Sequence, residues 1–251
     1  MTRGNRRWGT ASLHFLDEAR RFCREAFAVF AKEWVSEWRT RVAVSGTALF
    51  TVCALTLIAL SLHVGGAARI DAPVVAGLLW VVLLFTAATG LGRAFVQEEE
   101  RGTVLALRLT ARGTAVWTGK FAANMVLLLG LTVIAAPVLM QLFGVTKANV
   151  FLLICVLLLG NAGIAAVFTM TSALVAESTS RGGLLAALSF PLLVPLLMAG
   201  VHGTQAAFGV GVVPGQTGAF ASGIGDLQVL GSYAMLTVTA SLMLFDFIWS
   251  D

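Results

Sequence analysis

Charge is scarce in this chain. Asp, Glu, Lys and Arg make up 12% of 251 residues, hydrophobic residues make up 58%, and the mean hydropathy is +0.88. A soluble domain carries about twice that share of charge, so the balance excludes an ordinary water-soluble globule and makes the bilayer the solvent. Cysteine is nearly absent too. Cys23, Cys53 and Cys155 form no C-x-x-C and no C-x-x-C-H, which excludes a zinc ribbon and covalent haem attachment. The expected role of all three is small-residue packing. There are three histidines and no H-E-x-x-H, and G-x-S-x-G is missing, so neither a metalloprotease nor a serine hydrolase is signalled.

Two glycine pairs imitate nucleotide motifs and fail on spacing. Between Gly113 and Gly119 lie five residues where a phosphate loop has four, and Phe121 stands where the magnesium-binding Ser or Thr belongs. Gly209 and Gly211 are followed by Val-Val-Pro214, which breaks the dinucleotide fingerprint. The chain is therefore expected to be no enzyme, with any ATP hydrolysis in a partner subunit. His63 and His202 follow spans that end externally, where either could meet a ligand such as a haem iron. No motif names a metal, and ordinary interface histidines are the preferred explanation.

What is abundant is apolar sequence in long runs. Six windows, 42–62, 73–92, 121–143, 150–176, 184–201 and 227–249, each suffice to cross about 30 Å of hydrocarbon as helix. Lipid offers no partner to an open strand edge, and the alternation of a barrel is missing, so the expected fold is an all-α, polytopic bundle of six transmembrane helices. Fifteen of the 17 Lys and Arg fall in 1–41, 93–120 and 177–183, whereas Arg69 and Lys147 alone occupy the other side. The asymmetry places both termini in the cytoplasm and the loops 63–72, 144–149 and 202–226 outside. The net charge of +4 reflects this topology and gives no reason to invoke nucleic acid.

Before the first span, residues 1–12 are expected as a disordered cytoplasmic tail and 13–41 as an amphipathic helix in the inner headgroup layer. Cys23, Phe27, Phe30, Trp34 and Trp38 recur every three or four residues as an apolar stripe. Glu33 and Glu37 fall beside that stripe, with Arg39 following. Each carboxylate either pairs with a basic group of the bundle or snorkels to water. Within the spans, Pro137, Pro191 and Pro195 each remove a backbone donor and favour a kink, and Asn161 could hydrogen-bond a neighbouring helix; packing geometry alone is the preferred explanation of each. The glycine-rich external segment 203–226 has no Lys or Arg. It either dips back towards the bilayer or forms a surface loop.

The segment 93–120, RAFVQEEERGTVLALRLTARGTAVWTGK, is a charged island between two spans. Arg93 precedes the triplet Glu98, Glu99 and Glu100. Arg101 and Gly102 follow, then Leu105, Leu107, Arg108 and Arg112. The sequence predicts an extension of the second span, an interruption at Gly102, a tight turn near 110–113 and re-entry through 114–120. An acid triplet is not required by topology, so a docking surface for a soluble partner is expected, with a solvated loop as the alternative.

These residues resemble a known family. The stretch 78–124, LLWVVLLFTAATGLGRAFVQEEERGTVLALRLTARGTAVWTGKFAAN, is similar to the haem exporter B family (CcmB), the permease subunit of the ABC-type complex of cytochrome c maturation. FAKEWVSEWRTR at 30–41 looks like that family's elbow helix, SRGGLLAALSFPLLVPLLMAGVHGT at 180–204 its fifth span, and Phe245-Asp246-Phe247 its ending. Thr110 stands where the family usually has proline, and Arg101 replaces a frequent acid. The resemblance implies a bacterial inner-membrane, multi-pass protein with an ABC-exporter-like membrane domain. A separate, dimeric ABC ATPase would dock on 98–116. Further implied partners are a haem-handling membrane protein, a small helper subunit and a periplasmic haem chaperone. It also implies a complex that handles haem without a covalently bound cofactor in this chain. The alternative is a six-span ABC exporter for lipid, polysaccharide or drug. Pro191 and Pro195 mark the expected pivot by which cytoplasmic motion reaches the external face.

Overall fold

The computed structural model describes residues 5–40, 42–64, 71–93, 95–100, 102–145, 148–176, 181–210 and 219–250. Among these every regular element is helical. In chain order they are α1 (Asn5–Thr40), α2 (Val42–Val64), α3 (Ala72–Gly90), α4 (Val96–Glu100), α5 (Val104–Thr110), α6 (Gly113–Leu142), α7 (Val150–Ala176), α8 (Arg181–Ala207) and α9 (Ala219–Ser250), with a 3-10 turn at Leu91–Arg93. Such an all-helical solution satisfies the backbone internally, as an apolar solvent demands.

Five described helical stretches are long and apolar enough to cross a membrane: Ala72–Gly90, Gly113–Leu142, Val150–Ala176, Ala187–Ala207 and Ser222–Phe247. Six were expected. The window 42–62 is helical, but its apolar stretch, Ser45–Ser61, rises only about 26 Å at 1.5 Å per residue. Other boundaries shift as well. The first helix begins at Asn5 and not near residue 13, since nothing between Asn5 and Leu13 is a proline. α6 starts at Gly113, eight residues ahead of the expected span, because Arg112 is extended and opens a new helix. Helix also invades the segment 203–226, expected to be external, from both sides, to Ala207 and from Ala219; residues 211–218 lie outside the described residues.

α7 is the hub, packed against α3, α6, α8 and α9. Its pairing with α6 is pinned by polar bonds at two levels. Asn124 Nδ2 donates to Thr169 Oγ1 at 2.8 Å, and Asn161 Nδ2 donates to Thr132 Oγ1 at 2.9 Å. Both rungs step eight residues along each helix in opposite directions, which fixes an antiparallel register. Asn161 thus bonds across helices, where packing geometry alone is the preferred expectation from the sequence. Beyond the second rung the pair opens into an apolar groove of about 630 Å³ beside Val133, Pro137 and Ile154.

The core packs around Trp80, whose ring lies against Gly160 of α7 and Gly200 of α8. Its Nε1 donates to Thr204 Oγ1 at 2.9 Å, which satisfies the one polar atom of the ring. α8 runs unbroken through Pro191 and Pro195, and both prolines face outward. Two neighbours hold that stretch. Ser189 shares a hydrogen bond with Thr171 at 3.0 Å, and the Tyr233 hydroxyl of α9 donates to the Leu192 carbonyl.

Candidate functional site

At one end of the bundle, α3 gives way to the 3-10 turn, Phe95, α4 and α5 before α6 begins. The break after α4 is dictated by Gly102, whose φ of +66° suits a residue without Cβ. The Gly102 N–H donates to Glu99 O and that of Thr103 to Glu98 O, both at 3.0 Å, which closes α4 in a single turn. Thr103 occupies the N-cap position of α5, yet its hydroxyl makes no cap bond. It donates instead to the Glu98 carboxylate. Local helix capping is given up here for a longer-range bond.

Glu98 and Lys120 are the centre of the site. Lys120 is 1% exposed and Glu98 5%. Lys120 Nζ lies 2.7 Å from Glu33 Oε1, 3.3 Å from Glu98 Oε1 and 4.9 Å from the Phe95 ring centroid. Lys32 Nζ approaches the same Glu98 oxygen at 2.5 Å and Glu33 at 3.9 Å. Two cations and two carboxylates from α1, α4 and α6 therefore balance to zero, which is what makes burying any of them tolerable. Burial alone raises the pKa of Glu98. Lys120, with the bonds from Lys32 and Thr103, outweighs it and holds the carboxyl down at about 2.

α1 lies along the start of α6 through small residues. A Cβ on Gly119 would fall 2.7 Å from Ala26 O and Val29 Cβ, so only glycine permits this approach. Ala26 and Val29 carry the contact, while Phe27, Trp34 and Trp38 remain exposed as an apolar stripe. Further along, Arg112 Nη1 donates to Glu18 at 3.1 Å, and its backbone N–H to Glu25 at 3.5 Å.

From below, the last turns of α9 support the site. Phe245 is buried 5.2 Å from Phe95, Trp249 stacks on Phe245 at 5.2 Å, and Arg108 lies 5.5 Å over the Trp249 ring. Gly113 meets Trp249 so closely that a Cβ there would come within 2.8 Å.

The sequence-predicted residues thus divide. Glu98, Leu107 and Arg108 face inward or sideways, whereas Glu99, Leu105, Leu109 and Arg112 are exposed. Leu105 is 69% exposed and Leu109 80%, four residues apart on one face of α5. Arg93 belongs to the 3-10 turn and Glu100 ends α4; their side chains, and Arg101 altogether, lie outside the described residues. Glu33 pairs with Lys120, Glu37 is half-buried and Arg39 exposed. Pro191 and Pro195 belong to another part of the bundle.

Sequence reasoning missed Lys32, Thr103 and Lys120 as partners of Glu98, and Glu18 and Glu25 as partners of Arg112. A lysine after glycine at the head of an apolar run, Gly119-Lys120, was the available signal. The arrangement presents an exposed apolar pair, Leu105 and Leu109, on α5, which suits protein docking.

A family model described as CcmB protein matches residues 24–243 of the chain. No curated protein matches it.

Proposed function

We propose, from the premise that this chain belongs to the CcmB family, that it is the permease subunit of an ABC-type complex in cytochrome c maturation. α4 and α5 are its coupling segment, and the Leu105–Leu109 face of α5 is where a separate ATPase subunit docks. The observation that carries this is the exposure of those two leucines on a short helix outside the spans, whose N-cap residue Thr103 bonds to Glu98 of the buried ion cluster. Leucines left in water at adjacent turns of a helix are a protein-contact signature when the helix beneath them is rigid.

In this reading both termini and the coupling segment face the cytoplasm of a bacterial inner membrane, and α2 completes six spans. ATP closes a dimeric ATPase, which moves α4 and α5. The bundle passes the displacement to the external face, with α8 flexing between Ser189 and Pro195. The work done there is release of a haem-loaded periplasmic chaperone from a haem-handling membrane partner and its small helper. Haem is cargo of the complex and not a cofactor of this chain. ATP is hydrolysed in the partner, not here.

The test is a photo-crosslinking residue at Leu109, introduced in cells that make the full set of subunits. Capture of the ATPase at Leu109, and not at an outward position on α9 such as Met243, supports the docking face. Equal capture at both positions, or none at Leu109, removes it.

A further inference from the structure

We infer that Lys120 is a positioning residue. It clamps α1 to the coupling segment, so that α1, α4 and the first turns of α6 form one mechanical unit. This deepens the docking proposal and rests on it for its functional meaning; the clamp itself is argued from geometry alone.

Three separate stretches of chain meet at one ammonium group. Lys120 Nζ reaches Glu33 of α1 at 2.7 Å and Glu98 of α4 at 3.3 Å, and the Phe95 ring covers it. Lys32 closes the circuit from α1 back to Glu98 at 2.5 Å. Contacts of this kind differ from the apolar packing around them. Gly119 against Ala26 and Val29 holds α1 beside α6 but reaches nothing in α4. The ionic bonds are what tie α4 to both. Because they are directional, and Lys120 and Glu98 are enclosed, α4 cannot shift by an ångström without either breaking them or carrying α1 along.

Charge arithmetic supplies a clean perturbation. Lys120→Met alone leaves Glu33 and Glu98 sharing Lys32, an unbalanced buried cluster that destabilises broadly. Lys120→Met with Glu98→Gln leaves Lys32 and Glu33 balanced within α1. That double variant keeps the Gly119 packing of α1 on α6 but removes the Lys120–Glu33 bond together with the tie to α4.

Hydrogen exchange on the purified permease in nanodiscs reads the difference without any ATPase present. In the double variant, amides of 95–110 exchange at least tenfold faster, while those of α7 and of α1 around Ala26 and Val29 stay as in wild type. Unchanged exchange at 95–110 overturns the clamp. A rise spread equally over α7 also overturns it, since the cluster would then be a stability element of the whole bundle.

The assembled complex gives the second readout. A spin label at Arg24→Cys, in a background with the native cysteines replaced, shifts on ATP addition in the wild-type cluster and loses that shift in the double variant. The Leu109 crosslink to the ATPase persists in both. An undiminished shift in the double variant refutes the clamp and leaves docking intact. Loss of the crosslink in an otherwise wild-type chain refutes docking and leaves the exchange result standing.

Discussion

Replacing Leu105 and Leu109 together with aspartate should abolish ATPase docking and leave the permease folded. Full burial of a leucine side chain stabilises by about 1.5–3 kcal/mol. Scaled by exposures of 69% and 80%, docking would draw roughly 1–2.4 kcal/mol from each side chain. Both together amount to about 2–4.5 kcal/mol, or roughly 30- to 1,500-fold in affinity at 1.4 kcal/mol per decade. Burying two carboxylates at the contact adds to the loss. The fold has no stake in either side chain, so the thermal midpoint of the double variant should stay within the scatter of surface substitutions, about 0.5 kcal/mol. The assay is binding of the purified ATPase to nanodisc-embedded permease by interferometry, paired with a melting curve. A dissociation constant within twofold of wild type refutes the reasoning. Binding lost only alongside a collapsed melting transition refutes it too, since the leucines would then be structural.

Gly160→Ala should destabilise by about 1–3 kcal/mol, because the new Cβ meets the Trp80 ring at 2.0 Å. Gly200 and the bond to Thr204 hem the ring in on its other sides, and Trp80→Leu in the same chain should restore most of the melting midpoint. The clamp should be insensitive to pH down to about 4.5 and open only below it. A carboxyl lowered from 4.5 to about 2 contributes about 3 kcal/mol above the upper value, lost as pH falls through the lower. Exchange at 95–103 that accelerates with a midpoint at or above pH 4.5 in wild type contradicts this. Pro191→Ala with Pro195→Ala adds two backbone donors to an already continuous helix, so the complex should assemble and melt no lower while cytochrome maturation falls. Full maturation in that variant rules out α8 as the flexing element.

The spans were legible because their signal is local. Any apolar run of sufficient length declares itself, and the five helical stretches long and apolar enough to cross a membrane lie within or close to the expected windows. The charged island was legible for the same reason, and Gly102 marked its break. Contacts were another matter. Glu98 stood in an acid triplet that suggests a solvated docking face, and the structure buries it with Lys32 and Lys120, 66 and 22 residues away. Nothing in periodicity says which carboxylate of three turns inward. The pairing of Glu33 was left open for the same cause, since Lys120 is 87 residues distant. The aromatic stripe of α1 was seen correctly as an apolar face, but the bundle contact runs through the unremarkable Ala26 and Val29. Small residues are chosen for close approach, and they leave no hydrophobic signature. Trp80 between Gly160 and Gly200 escaped notice on the same ground, because glycine in a helix announces proximity without naming the neighbour.

The central claim is that this chain couples an ATPase to cytochrome c maturation, and a haem stain for covalent c-type cytochromes tests it most directly. The gene is deleted in a bacterium with a single maturation system and supplied back as wild type or as the Leu105→Asp/Leu109→Asp variant. The account predicts no stained cytochrome in the deletion strain, full recovery with wild type, and almost none with the variant despite its presence in the membrane. Normal staining in the deletion strain contradicts the maturation role. Full recovery with the variant contradicts the coupling face.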